Sequence, residues 1–268
     1  MSPEPSPFPG AELTLERIGG RKLRGAGWPR PPAAGRGPPP FFNRPGAGVD
    51  ALAPFAGALA ERPVIAWDMP GIGGSPAPVV PYNPALAAWT GKALLQRFGC
   101  ARADVMGLSW GGNIAQHFAL QHAASTRRLV LAATNAGMVA IPGSPRALWK
   151  LANPTHWKGP GLARALGPGA EQMEHLPVPS LRSWLYQAAA ITGWTSAPFL
   201  PLLKAPTLIL MGSKDRIVPP VNGRILSALI PHARLEVIEG GGHLFLLGQQ
   251  EQTLGLLRGF LDEPDDAR

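Results

Sequence analysis

Ser109, Asp215 and His243 are the residues whose types and spacing point to chemistry. A serine hydroxyl is a poor nucleophile until a neighbouring imidazole takes its proton. That imidazole needs a carboxylate to fix its tautomer and to stabilise the imidazolium. Ser109 stands in Gly107-Leu108-Ser109-Trp110-Gly111, a G-x-S-x-G pattern. The pattern follows the apolar run Val105-Met106 and precedes a helix-like segment from Gly112 to Ala123. A sharp strand-to-helix turn strains the backbone at the serine, and glycines two residues to either side leave room for it. The same turn leaves the N–H of Trp110 at a helix N-terminus, ready to face an oxyanion.

The partners follow in the order that such a site requires. Thr207-Leu208-Ile209-Leu210-Met211 is an apolar strand run ending in Gly212, with Asp215 in the loop after it. Arg234-Leu235-Glu236-Val237-Ile238 is a further strand, followed by Gly240-Gly241-Gly242-His243. Each of the three residues thus lies just past the C-terminal end of a strand, and in an open α/β sheet those ends share one crevice. Plainer roles compete. Ser109 is also a good helix N-cap, and Asp215 suits a turn in Ser213-Lys214-Asp215-Arg216. Asp68 is the rival carboxylate, but it precedes the serine, in the turn-rich exit Trp67-Asp68-Met69-Pro70-Gly71-Ile72-Gly73-Gly74-Ser75. His117 and His122 fall on the helix after the serine and His232 precedes a strand. His156 and His175 belong to the middle segment, where surface positions are expected.

The elements that must position these groups alternate in type. Leu13 to Leu23 suggests a first hairpin, and Pro63 to Trp67 a buried strand. Pro84 to Phe98 reads as a helix with Leu86, Trp89, Leu94 and Phe98 on one face. Asp104 to Leu108 and Leu129 to Ala133 are further strands. Strands alternating with helices predict an α/β fold, a mostly parallel sheet with helices on both faces. From about Ala140 to Pro201 the alternation stops, in a stretch holding Trp149, Trp157, Trp184 and Trp194. The expected organisation is a core of residues 1–139 and 202–268 carrying a cap at 140–201. Its apolar residues are expected mainly to pack the cap onto the sheet, and several to line a cleft for an acyl chain. A last helix, Leu244 to Leu261, covers the sheet, and Asp262 to Arg268 reads as a frayed polar tail.

Bulk composition narrows the field. A chain of 268 residues, 45% hydrophobic, suits one α/β domain with a sizeable core. The net charge of +8 raises nucleic-acid binding, but the basic residues are scattered, which suits a solvated surface better. Contact with an anionic lipid or granule surface is the milder expectation. Cys100 is the only cysteine, so an internal disulfide is impossible and a reducing compartment fits. The first five residues carry no basic cluster or apolar core of a signal peptide, and no run of about eighteen apolar residues suggests a membrane span. The expected location is the cytoplasm. No His/Cys/carboxylate cluster has metal-ligand spacing and no nucleotide loop occurs, so no metal or cofactor is expected.

These stretches resemble the α/β-hydrolase superfamily, and most closely its intracellular medium-chain-length polyhydroxyalkanoate depolymerases. The resemblance rests on Ala66 to Ser75, Gly107 to Gly112, Leu129 to Thr134, Gly193-Trp194-Thr195-Ser196 and Gly242-His243-Leu244-Phe245-Leu246. The first and last are common across the superfamily. Trp110 after the serine, together with Gly-Trp-Thr-Ser, is more particular to these depolymerases. The resemblance implies hydrolysis of a bacterial storage polyester at the granule surface, releasing 3-hydroxyalkanoate units. It makes Ser109 the nucleophile, His243 the base and then acid, Asp215 its orienting carboxylate, and the Trp110 N–H one oxyanion donor.

One loop departs from the family. Where relatives carry Asn-Gly-Ile-Gly, this chain reads Asn43-Arg44-Pro45-Gly46. The second oxyanion donor falls on Pro45, which has no N–H, and losing one donor typically costs about a hundredfold to a thousandfold in rate. Asn43 and Arg44 remain the binding candidates there. The strand before it, Pro38-Pro39-Pro40-Phe41-Phe42, carries prolines that cannot donate to an inner ladder, so a rebuilt loop or a weakened enzyme is expected. The segment between the sheet halves is also shorter than in these relatives. The leading expectation is a serine ester hydrolase forming an acyl-enzyme on a polyhydroxyalkanoate or its oligomers. The runner-up is a hydrolase of small soluble esters or lactones. A weakly active binding protein of the same fold is the third, and Pro45 is the feature that favours it.

Overall fold

In the computed structural model the described residues are 12–18, 20–28, 40–43, 48–51, 53–59, 62–152 and 180–265. They form one eight-stranded sheet: β1 (Glu12–Ile18), β2 (Arg21–Trp28), β3 (Pro40–Asn43), β4 (Val64–Trp67), β5 (Ala103–Leu108), β6 (Thr126–Ala132), β7 (Thr207–Gly212) and β8 (Ala233–Ile238). Their order across the sheet is β1-β2-β4-β3-β5-β6-β7-β8. The β1–β2 hairpin attaches antiparallel to β4, and all strands from β4 across to β8 run parallel. Strands β5, β6 and β7 are buried along their whole length, which is why they read as nearly unbroken apolar runs.

Among the described residues the α-helices are α1 (Ala53–Ala58), α2 (Pro84–Arg97), α3 (Trp110–Gln121), α4 (Pro145–Ala152), α5 (Leu181–Ile191), α6 (Val221–Leu229), α7 (Phe245–Gly248) and α8 (Gln250–Asp262). The chain steps one way from β3 to β4 and the other way from β4 to β5 and onward. Right-handed crossovers therefore put α1 on one face and α2 and α3 on the other. Helix α8 joins the α1 face, where Arg258 and Gln250 donate to the carbonyls of Ala58 and Pro54.

Local rules account for α2. Asn83 accepts the Leu86 N–H at 2.8 Å, Pro84 opens the first turn, and Gly99 takes the left-handed φ of 73° just past the last turn. Gly99 N–H returns to Gln96 O and Cys100 N–H to Leu95 O, closing the helix in a Schellman motif. The expected apolar face is corrected, however. Leu86 and Trp89 are exposed, and the buried face is Ala87, Ala88, Thr90, Gly91, Leu94 and Leu95. Small residues let α2 lie close against α3, a tertiary preference that apolar periodicity does not encode.

Further expectations are revised. Strand β3 takes an inner place between β4 and β5 despite its prolines, because Pro40 is its first residue, where a missing donor is tolerated. Helix α3 begins at Trp110, two residues before Gly112. Strand β6 starts at Thr126, so Arg127 and Arg128 belong to it. Both are buried: Arg127 grips Asp104 through two hydrogen bonds of 2.7 Å and donates to Leu261 O at 2.8 Å. Arg128 donates to the carbonyls of Glu263 and Pro264, and Asp265 accepts from both arginines. Part of the basic charge is thus internal, and the tail through Asp265 is anchored rather than frayed. The predicted last helix is two, α7 and α8, parted at Gln249.

Candidate active site

Strand β5 delivers Ser109 to the sheet's C-terminal edge, and α3 starts at the next residue. Ser109 takes φ 55° and ψ −125°, and only it and Ala133 hold positive φ among the described non-glycine residues. Such backbone is sparsely populated and persists only where the surroundings enforce it. Here Ser109 N–H donates to Ala132 O at 2.8 Å, tying the turn to β6. A Cβ on Gly107 would stand 2.1 Å from Gly111 O, and one on Gly112 would stand 2.5 Å from the Thr134 side chain. Glycine is required on steric grounds at both positions, which outweighs its poor helix propensity at the second. Ser109 makes no side-chain capping bond to α3. Its hydroxyl instead donates to His243 Nε2 at 3.0 Å.

The loops after β7 and β8 are laced together beneath that imidazole. Lys214 N–H donates to Gly241 O at 2.8 Å and Gly240 N–H to Ser213 Oγ at 2.8 Å. Gly212 makes the close approach possible, since a Cβ there would meet Gly241 O at 2.4 Å. Gly240 turns the chain at φ 72°. Asp215 is held as a turn carboxylate and aimed as well. Its Oδ1 accepts the N–H groups of Ile217 and Val218 at 2.8 and 3.0 Å, while Oδ2 accepts from His243 Nδ1 at 2.8 Å. The carboxylate is acceptor-only, so it fixes the proton on Nδ1 and leaves Nε2 free to take one from serine. Both side chains are buried, Asp215 completely, so these charge-assisted bonds act in a low dielectric.

Trp110 is the first residue of α3, where a backbone N–H has no intrahelical acceptor. Its ring stands edge-on to Tyr82 at 5.9 Å, on the loop after β4, a neighbour that no sequence signal announced. Asn43 ends β3, paired in register with Gly107 of β5. Arg44 and Pro45 lie outside the described residues, as do His156, His175 and Trp157. Asp68 is engaged elsewhere: it accepts from Arg24 Nε at 2.6 Å, Val49 N–H at 2.5 Å and Gly74 N–H at 2.8 Å. His117 accepts from Trp194 Nε1 at 2.8 Å, and His122 stands edge-on to Phe118. No cluster of three or more potential metal ligands occurs among the described residues, and no described helix is long and apolar enough to cross a membrane.

Known proteins match this architecture and its sequence. Residues 32–255 match the alpha/beta hydrolase family. A poly(3-hydroxyalkanoate) depolymerase of Ectopseudomonas oleovorans is 37% identical over 240 residues, 83% of each chain. A pimeloyl-[acyl-carrier protein] methyl ester esterase of Neisseria meningitidis is 30% identical over 230 residues, 76% of this chain and 84% of its own. Among solved structures, the enol-lactonase of Burkholderia xenovorans LB400 superposes with a TM-score of 0.77 at 23% identity, over 93% of this chain and 100% of that one. The chain belongs to the alpha/beta hydrolase family and is an ester hydrolase.

Proposed function

We propose that Ser109, His243 and Asp215 form the catalytic triad of a hydrolase acting on 3-hydroxyalkanoate polyester or its oligomers. The observation that carries the reading is the hydroxyl–imidazole–carboxylate relay, 3.0 Å and then 2.8 Å long. The Ser109 hydroxyl gives its proton to His243 Nε2 as Oγ attacks the ester carbonyl. The oxyanion so formed is stabilised by the Trp110 N–H at the start of α3. Collapse breaks the ester C–O bond, and the departing alkoxide takes the proton from Nε2 and leaves as an alcohol. Water then gives a proton to Nε2 and its oxygen attacks the acyl-enzyme. The second collapse releases the acid and returns the proton to Ser109. Asp215 steadies the transient imidazolium throughout and stays ionised.

Two observations support a polymeric apolar substrate over a small polar one. The similarity to the depolymerase extends over most of the chain. Met138 and Val139 after β6, Trp149 on α4, and Leu181 and Leu185 on α5 are all exposed, in the stretch between β6 and β7. We read residues 140–201 as a cap over the crevice and the protein as cytoplasmic. The likeness to a methyl ester esterase supports a second reading, a hydrolase of small soluble acyl esters. Turnover of medium-chain polyester granules, followed by mass analysis of released acids, separates the two. Granule hydrolysis that disappears in Ser109→Ala is expected. Activity on p-nitrophenyl esters with none on granules would favour the small-ester reading. Failure of a fluorophosphonate to label the native serine would end both.

A further inference from the structure

The chain leaves the sheet after β6 and returns to it before β7, and the two stems of that excursion meet. Gly137 and Thr195 form an antiparallel bridge; Met138 N–H donates to Trp194 O at 3.1 Å and Ser196 N–H to Ala136 O at 3.2 Å. Thr195 Oγ1 adds a bond of 2.7 Å to Ala136 O. Gly137, at φ 84°, is obligatory because a Cβ there would meet Trp194 O at 2.2 Å. These contacts join the outgoing stem to the returning one in a neck.

One face of α3 grips this neck. Asn113, Gln116 and His117, spaced i, i+3 and i+4, share a helix face. Asn113 Oδ1 accepts from Thr134 Oγ1 at 3.0 Å on the outgoing stem, and His117 Nε2 accepts from Trp194 Nε1 at 2.8 Å on the returning one. Gln116 alone of the three touches both stems. Its Nε2 donates to Asn135 O at 3.0 Å and its Oε1 accepts from Ser196 Oγ at 2.5 Å. Gln116 and Ser196 are fully buried, so neither group has water as an alternative partner. The helix that makes this grip is the one that begins beside Ser109.

We infer that Gln116 is a positioning residue for acyl-chain selection: it joins both stems of the 139–193 excursion to the nucleophile helix. This rests on the ester-hydrolase reading of Ser109. Beyond the neck the arms carry the exposed apolar side chains Val139, Ile141, Leu181 and Leu185. Further out, Ile141 is tied to the side-chain amide of Asn222, Ser144 N–H donates to Arg216 O at 2.8 Å, and Tyr186 Oη donates to Val79 O. Loosening the neck therefore shifts the arms without dismantling them. On the reading of residues 140–201 as a cap over the crevice, long acyl chains reach the arms and lose their fit, whereas a two-carbon acyl group, held at Ser109 itself, does not.

The test compares kcat/KM for p-nitrophenyl octanoate with that for the acetate in the full chain and in Gln116→Leu and Ser196→Ala. The octanoate-to-acetate ratio is expected to fall about fivefold to tenfold in Gln116→Leu, the scale of one net buried hydrogen bond. The fall appears in KM for octanoate, while the rate of fluorophosphonate labelling stays within about twofold. Ser196→Ala, a smaller change that keeps the Asn135 bond, shifts the ratio in the same direction by less. An unchanged ratio in either folded variant overturns the inference. So does an equal loss on both esters together with slower labelling, since that is general damage. If the unaltered chain is neither labelled nor active on either ester, the reading of Ser109 fails and the inference that rests on it falls with it.

Discussion

Gly107→Ala is the sharpest perturbation of the serine turn. The new Cβ would stand 2.1 Å from Gly111 O, 2.4 Å from Gly111 C and 2.6 Å from the Gly112 Cα. All three are backbone atoms, so no side chain can swing aside, and β5 and the first turn of α3 must part by roughly 1 Å to reach van der Waals separation. Overpacking of this kind costs about 1–3 kcal/mol, offset by about 0.4–1 kcal/mol from the stiffer unfolded chain. A net loss of about 1–2 kcal/mol lowers Tm by roughly 2–8 °C in a domain of this size. Catalysis suffers more, because a displacement of about 1 Å between reacting groups is worth about a hundredfold in rate. Gly255→Ala is the control: its Cβ meets nothing within 4 Å on α8, and helix propensity predicts a gain of about 0.5–1 kcal/mol. Thermal unfolding gives the stability change, and the second-order rate of fluorophosphonate labelling on folded protein gives the functional one. A Gly107→Ala protein labelled within about threefold of the parent would refute the reasoning, since the elbow would then not need its glycine.

Two other outcomes follow from the structure. Asp104→Ala strands the buried Arg127 guanidinium without its two 2.7 Å bonds and should lower the unfolding free energy by about 3–5 kcal/mol in urea titrations. Joint replacement by Asp104→Leu and Arg127→Met should recover much of that loss, and a single variant as stable as the parent would contradict the pairing. Burial holds the His117 imidazole below its ordinary pKa, and it accepts from Trp194 as a neutral ring. The unfolded chain takes the proton first as pH falls below about 6.5, so this contribution is complete above that pH and is lost on acidification. His117→Gln, whose carbonyl still accepts from Trp194, should flatten the stability change between about pH 7 and pH 5. Some slope should persist, because burial and the nearby Lys92 lower His122 in the same direction. An unchanged slope would exclude His117 as a source.

What the amino-acid sequence determined by itself was local in character. The apolar runs of β5, β6 and β7, the glycines around Ser109, and the caps Asn83 and Gly99 each express a rule that acts within a few residues. Asp215 and His243 were legible as candidates because each follows a readable strand into a glycine-rich or turn-forming loop. Tertiary structure decided the matters that depend on distant partners. Arg127 meets a carboxylate 23 residues away and a carbonyl 134 residues away, so its burial has no local signature. Leu86 and Trp89 carry the periodicity of a buried face, yet α2 presents its small residues to α3, because close approach of two helices favours low volume over high hydrophobicity. Gln116 looks like an ordinary helical glutamine until chain segments 19 and 80 residues away arrive at its two amide ends. Hydrophobic period is a property of neighbours along the chain, whereas the partner of a buried polar group is chosen by the fold.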